Sequence, residues 1–325
     1  MAVRSIRYVA SSVLCLSALI GPHQAAAQSW PAKPVRIIVP FPPGGGTDIQ
    51  GRILGKKFYE SMGQTFIIEN RAGASGLIGA EIVARSPADG YNILFTTASL
   101  SVNVSLYKKI AFDPVKDLQP ISWVSSVPLV LVVHPSVPVK SVKELVALTK
   151  KQKNGLNAAS NGAGTTSHLS IEMLKQFAGA NLTHIPYKGG GPAITAMISG
   201  EVDFQFATAL AAQPHIKSAK IRALAVTTLK KSGAFPELPT MASIYPGFES
   251  DNWYAMFFPA GTPKDVVAKM NAEIIKGIKA SEVREFIVKE GGDPVGSTPE
   301  ALAAYFKREV DKYAKIIKAG NVTVD

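Results

Sequence analysis

The stretch Ile37-Ile38-Val39-Pro40-Phe41-Pro42-Pro43-Gly44-Gly45-Gly46-Thr47-Asp48-Ile49 decides how the chain is read. Its β-branched opening is the pattern of a short buried strand. Prolines and glycines then stop the strand, and Thr47 or Asp48 can cap the helix that follows. Ile49, Ile53, Leu54 and Phe58 mark one face of that helix. A helix N-terminus carries unpaired N–H groups and partial positive charge, so the loop suits an anion, and a carboxylate is the expected one. The same residues would also serve a tight strand-to-helix turn with no ligand. Recurrence favours the first reading, because comparable loops follow other strands downstream.

Those loops are Asn70-Arg71-Ala72-Gly73-Ala74-Ser75-Gly76, Ser160-Asn161-Gly162-Ala163-Gly164-Thr165-Thr166-Ser167 and Lys188-Gly189-Gly190-Gly191-Pro192. Strand patterns precede them at Phe66-Ile67-Ile68, Leu156-Asn157-Ala158-Ala159 and Thr183-His184-Ile185-Pro186-Tyr187. Further strands are expected at 93–97, followed by the small polar Ala98-Ser99, and at 130–133, 202–206, 221–226 and 254–258. The segment through Asp113-Pro114 and Asp117 reads as a connection. Ser141-Val142-Lys143-Glu144 and Ser297-Thr298-Pro299-Glu300 read as capping boxes. Leu302, Phe306, Val310, Tyr313 and Ile317 give the final helix one apolar face. Alternating strands and helices define an α/β fold. Ligands of open α/β sheets bind at the carboxyl ends of strands, so two halves with two such loops each imply a cleft between two lobes.

The 325 residues suffice for two domains with sizeable cores. Residues 1–27 read as a secretory signal. Arg4 and Arg7 form its basic end, an apolar run reaches Ile20, and Ala25-Ala26-Ala27 places cleavage before Gln28. The run is too short for a typical membrane span. Cys15, the only cysteine, falls inside this signal, so the exported chain has neither disulfides nor thiolate chemistry. The net charge of +11 becomes +9 once Arg4 and Arg7 are removed. Lys140, Lys143, Lys150, Lys151 and Lys153 are scattered over helix faces without interleaved aromatics, which argues against nucleic-acid binding.

Catalytic and cofactor motifs are missing. Gly73-x-x-Gly76-x-x-Gly79 lacks dinucleotide spacing, no phosphate-loop motif occurs, and Gly73-Ala74-Ser75-Gly76-Leu77 fails the nucleophile-elbow pattern at Leu77. No cofactor is expected. His134, His168, His184 and His215 are isolated, and each reads as structural or surface. His168 sits in the first turn after the third loop, where it either bonds a ligand or supports the turn. Asp48 and Asp203 are candidate acceptors for a ligand donor; for Asp48 helix capping is the stronger reading. Phe41 and Tyr187 either wall a pocket or join the core.

Taken in order, seven pieces resemble one family: Pro43-Gly44-Gly45-Gly46-Thr47-Asp48, Glu69-Asn70-Arg71-Ala72-Gly73-Ala74-Ser75-Gly76, Pro87-Ala88-Asp89-Gly90-Tyr91, the 160–168 loop, Pro186-Tyr187-Lys188-Gly189-Gly190, Gly200-Glu201-Val202-Asp203 and Pro259-Ala260-Gly261-Thr262-Pro263. The family is the substrate-binding proteins of tripartite tricarboxylate transporters, the Bug or TctC-type periplasmic receptors, and the resemblance spans essentially the whole chain. It implies a type II, two-lobed periplasmic-binding-protein (Venus-flytrap) fold with two hinge strands. Lobe 1 would comprise 28–127 and 224–325, and lobe 2 would comprise 128–223. A carboxylate pincer would map onto the Phe41–Asp48 loop, including Gly45 and Gly46, and onto the Tyr187–Gly190 loop, including Gly189. Ala74, Ser99, Ser160, Gly164, Thr165, His168 and Asp203 would complete the cleft. The implied partners are a small organic acid (a dicarboxylate, tricarboxylate or aromatic acid) and a membrane permease, with the receptor a monomer. Gln50-Gly51 departs from the apolar or Ala residues usual before Arg52, and Ser243 from a common Glu. The rival readings are a receptor feeding a membrane sensor, and an exported hydrolase, which would need a nucleophile and base within hydrogen-bond reach.

Overall fold

A computed structural model describes residues 30–107 and 109–323. The expected signal and its cleavage point at Ala27/Gln28 lie outside the described residues. The elements run β1 (Val35–Val39), α1 (Gly46–Met62), β2 (Phe66–Asn70), α2 (Leu77–Ala84), β3 (Asn92–Thr97), α3 (Ser99–Leu106), β4 (Leu118–Val127) and β5 (Leu129–Val133). Next come α4 (Val142–Lys151), β6 (Leu156–Ser160), α5 (Thr166–Ala178), β7 (Leu182–Pro186), α6 (Gly190–Ser199), β8 (Phe204–Thr208), α7 (Ala209–Lys217) and β9 (Arg222–Val226). The chain finishes with α8 (Met241–Ile244), β10 (Asn252–Pro259), α9 (Lys264–Lys279), α10 (Ser281–Lys289), β11 (Asp293–Pro294) and α11 (Pro299–Gly320).

Two sheets result, one per lobe. The first has six strands in the order β11-β4-β10-β3-β1-β2, and the second five in the order β7-β6-β8-β5-β9. β1, β2 and β3 are parallel, as are β6, β7 and β8. The central strands β1 and β3 are near-continuously buried because helices cover both faces of their sheet. In β3, Ile93 and Phe95 pack under α1 and α9, while Leu94 joins Trp253 and Phe306 on the other face. In β5, Leu131 and Val133 face one core and Val130 and Val132 the other.

The chain crosses between lobes where only Pro128 separates β4 from β5, and again at Ser250-Asp251 before β10. The crossings are tied together. Leu129 N–H donates to Thr227 Oγ1 (3.0 Å), Thr227 N–H to Leu129 O (3.0 Å) and Ser126 Oγ to Asp251 Oδ2 (2.9 Å).

Three expectations shift. β9 pairs antiparallel with β5 in the second sheet, and Phe235, Leu238, Met241 and Phe248 fill second-lobe cores, so the return to the first lobe falls near 251 rather than at 224. An apolar strand reads the same in either sheet; only its partner assigns it. β4 was expected as connection. Pro120, Gln119 and the serines Ser122, Ser125 and Ser126 mask it, yet Ser122 and Ser125 are buried with partners, Ser125 accepting from Gln50 Nε2 at 3.1 Å. The cap of α11 is Thr298, which accepts from Ala301 N–H, one residue later than the expected capping box.

α11 spans both lobes: Leu302, Tyr305 and Phe306 pack on the first, Tyr313, Ile316 and Ile317 on the second. Phe306→Ala and Tyr313→Ala should each cost about 3–5 kcal/mol. Their effects should add, because about 10 Å of helix and two separate cores divide them. Denaturant unfolding of both single variants and the double variant checks this; a strongly non-additive double would show that the two halves of α11 do not serve separate cores.

Candidate functional site

Parallel strands followed by helices place strand C-termini and helix N-termini at one edge. Here β1, β3, β6, β7 and β8 end beside a single cavity of about 380 Å³, and α1, α3, α5, α6 and α7 begin there. α1, α3, α6 and α7 have no side-chain cap. Ile49 N–H makes the first backbone bond of α1, to Gly45 O, so Gly46 and Thr47 N–H have no carbonyl behind them. Across the cavity, Ala193 N–H bonds Gly189 O at 3.4 Å, leaving Gly190 and Gly191 N–H in the same condition. The two glycine-rich ends belong to different lobes. Among the described residues Lys188 is the one charged residue lining the cavity, and no acidic side chain lines it.

Of the expected residues, Phe41, Gly45, Gly46, Ser99, Thr165, Gly189 and Gly190 line the cavity. The others do not. Asp48 is buried behind the loop, where its carboxylate accepts from Gly44 N–H (2.9 Å), Arg52 and Asn70 Nδ2 (3.0 Å). Burial pushes this carboxyl up, but the bonds from Arg52, Gly44 and Asn70 outweigh it and hold the group below its ordinary range. Asp48 thus fixes the loop's shape from behind and does not line the cavity. Asp203 precedes β8, whereas the cavity lies at the Thr208 end, about 16 Å along the strand. It accepts from Asn157 N–H instead. Tyr187 is turned outward, its hydroxyl donating to Glu201 Oε1 at 2.9 Å.

None of Ala74, Gly164, Ser160 and His168 lines the cavity: Ala74 and Gly164 lie at the junction of the lobes, and Ser160 and His168 brace the second lobe's own loop. Next to Ala74, Ser75 Oγ donates across the cleft to Ala163 O at 2.7 Å. Gly164 has φ +74°, and a Cβ there would stand 2.7 Å from Asn103 Oδ1 and 2.9 Å from Leu106, so only glycine permits this approach. His168 Nδ1 accepts from Gly164 N–H, and its ring stacks on His184 at 3.9 Å. Ser160 Oγ and His184 Nε2 share a 2.6 Å hydrogen bond, a spacing that would suit a nucleophile and base. Ser160, however, is fully buried, also accepts from Gly162 N–H, and does not reach the cavity.

Several cavity residues escaped the sequence reading. Thr97, Thr208, Asn252 and Tyr254 sit at strand ends with no local motif, and Leu129 lies at the crossing. Thr166 Oγ1 donates across the cleft to Asn252 Oδ1, and Asn252 Nδ2 to Tyr254 Oη, both at 3.4 Å. Asn161 and Lys188 stood within the quoted loops and could have been named from their position beside the glycines.

Residues 51–322 match the family model described as the tripartite tricarboxylate transporter family receptor. The chain belongs to this receptor family. Protein BugT of Bordetella pertussis is 36% identical over 296 residues, covering 90% of this chain and 91% of BugT. The structure of periplasmic binding protein BugD superposes with a TM-score of 0.81 at 36% identity, covering 90% of this chain and 99% of BugD. That of R. palustris Rpa4515 with adipate superposes with a TM-score of 0.83 at 32% identity, covering 90% and 99%. MatC from Rhodopseudomonas palustris with bound malate gives 0.79 at 29% identity, covering 89% and 100%. The fold is therefore the two-lobed periplasmic-binding-protein fold of the type II class, and the family's role is that of a periplasmic receptor for small organic acids in tripartite tricarboxylate transport.

Burial lowers the pKa of His168 to about 3, with help from His184 and Lys175, and that of His184 to about 4. The unfolded chain therefore binds protons that the folded pair refuses. The stability tied to these rings is complete above pH 6.5 and is lost progressively as the pH falls toward 3. The imidazole NMR signals of both should stay unshifted between pH 8 and pH 5; a midpoint near 6.5 for either would contradict the buried stack.

Proposed function

We propose that the cavity holds one carboxylate of a small organic acid between the N-termini of α1 and α6, one from each lobe. The supporting observation is that two uncapped, glycine-rich helix ends face one space with Lys188 at its edge and no acid in its walls. Backbone N–H donors are already fixed in place, so gripping with them costs little ordering entropy. A carboxylate there satisfies groups from both lobes at once, which favours the closed arrangement. Phe41, Gly45, Gly46, Ser99, Thr165, Gly189 and Gly190 are the expected lobe-spanning contacts, joined by Asn161, Asn252 and Tyr254. A dicarboxylate fits best, because the hydroxyl- and amide-rich walls offer donors for a second polar end and the similar R. palustris proteins hold adipate and malate. The closed receptor would act as a monomer and deliver the acid to the permease after export and cleavage before Gln28. A hydrolase is disfavoured, since the Ser160–His184 pair is sealed from the cavity.

Thermal shift of the mature protein with malate, adipate, succinate, citrate and benzoate tests the ligand class, with the neutral amides as controls. At about 1,000 times its Kd a ligand adds roughly 4 kcal/mol, or several degrees at about 2–4 °C per kcal/mol. Gly190→Asp should abolish that gain while leaving the unliganded midpoint nearly unchanged. Its Cβ has room, with Asn161 Oδ1 no closer than 3.6 Å, and an acidic residue at a helix start is favourable. Its carboxylate would occupy the anion position itself. Full retention of the shift in Gly190→Asp would remove α6 from the site.

A further inference from the structure

Glu290 follows the last turn of α10 and is 3% exposed. Its Oε2 has no hydrogen-bond partner among the described residues. The carboxyl stands directly behind the start of α1. A Cβ built on Gly46 would lie 2.7 Å from Glu290 Oε1 and 2.7 Å from Tyr254 Oη. Gly46 and Tyr254 line the cavity, so one thickness of backbone separates this carboxyl from the anion position.

Among the described residues, the surroundings offer it no cation. Tyr254 faces it from β10, its hydroxyl kept neutral by burial and by Glu290 itself. From α1, the nearest acid, Asp48, is engaged with Arg52 and Asn70. Gly291, next in the chain, is walled by Ala209, Ala234 and Phe235, which carry no charge, and Lys289 is exposed on the outer side of α10. Burial pushes the Glu290 carboxyl up to about 7.

We propose that capture of an organic anion at the start of α1 is coupled to uptake of one solvent proton by Glu290. The inference rests on the carboxylate reading of the cavity. An ionised Glu290 repels a second carboxylate a few ångströms away in a dry environment and competes with it for the positive end of α1. Protonation to the neutral acid removes both effects. By reciprocity, the bound anion favours the protonated Glu290 by the same factor. Binding is then tightest on the acid side of neutrality and weakens as the pH rises above 7. His168 and His184 do not contribute, being neutral throughout this range.

Calorimetry of the mature protein in phosphate and in Tris at pH 8 counts the protons directly, using whichever of malate, adipate, succinate, citrate and benzoate gives the largest thermal shift. The expected result is uptake of about half a proton or more per bound acid. Affinity should fall by about 5–150-fold between pH 6 and pH 8.5, the range of typical coupling between two sites. Glu290→Gln should bind at pH 8.5 at least as tightly as the parent does at pH 6, with no buffer dependence. Binding by the parent protein without proton uptake would overturn the coupling while leaving the carboxylate reading intact, and this arm needs no variant. A Glu290→Gln protein that keeps the pH slope would overturn it as well. If none of the five acids binds either protein, the carboxylate reading falls and the coupling with it.

Discussion

Strand direction and helix polarity are bound together in a βα unit, and the cleft follows from that constraint. Each parallel strand ends where the next helix begins, so five helices direct their N-termini at one cavity. Four of the five lack a side-chain cap, leaving donors available there. Among the described residues, no acid lines the space to satisfy them. Glycine at Gly45, Gly46, Gly189 and Gly190 keeps side chains from standing between backbone and solute. At Gly46 a Cβ would stand 2.7 Å from Glu290 Oε1 and from Tyr254 Oη, so those side chains would have to give way to any larger residue.

Bringing the two halves of this donor set together is the task of the junction. Two crossings carry the chain between lobes, and α11 lies over both as a third tie. Gln50, buried on α1, bonds Ser125 on the crossing strand β4, so the helix presenting Gly46 is anchored to the hinge. The cleft is held shut by few polar links, chiefly Ser75 to Ala163 and Thr166 to Asn252. Each of these must break when the lobes part, and a carboxylate spanning α1 and α6 would add to them.

The α/β alternation and the glycine-rich loops were legible because strand, breaker and helix start are local signals. So were Phe41, Gly45, Gly46, Gly189 and Gly190, which belong to those signals. β4 was not legible: Pro120 and its buried serines imitate a loop, and their partners lie far off, Gln50 on α1 and Ser297 before α11. Asp203 misled because its motif adjoins the right strand at the wrong end. His168 stands one helical turn inside the loop, but its ring folds back to Gly164 and His184. Asn252, Tyr254 and Thr208 reach the cavity only through sheet order, which local spacing does not encode. Glu290 was invisible for the same reason, since its neighbour Gly46 is 244 positions away.

On this reading one anion engages backbone donors of both lobes together. Amide NMR of the mature protein labelled with 15N-glycine, titrated with the acid that stabilises it most, tests this directly. Gly45, Gly46, Gly190 and Gly191 should all shift, with one shared midpoint. Shifts confined to the glycines of one lobe, or binding that leaves all four unmoved, would contradict it.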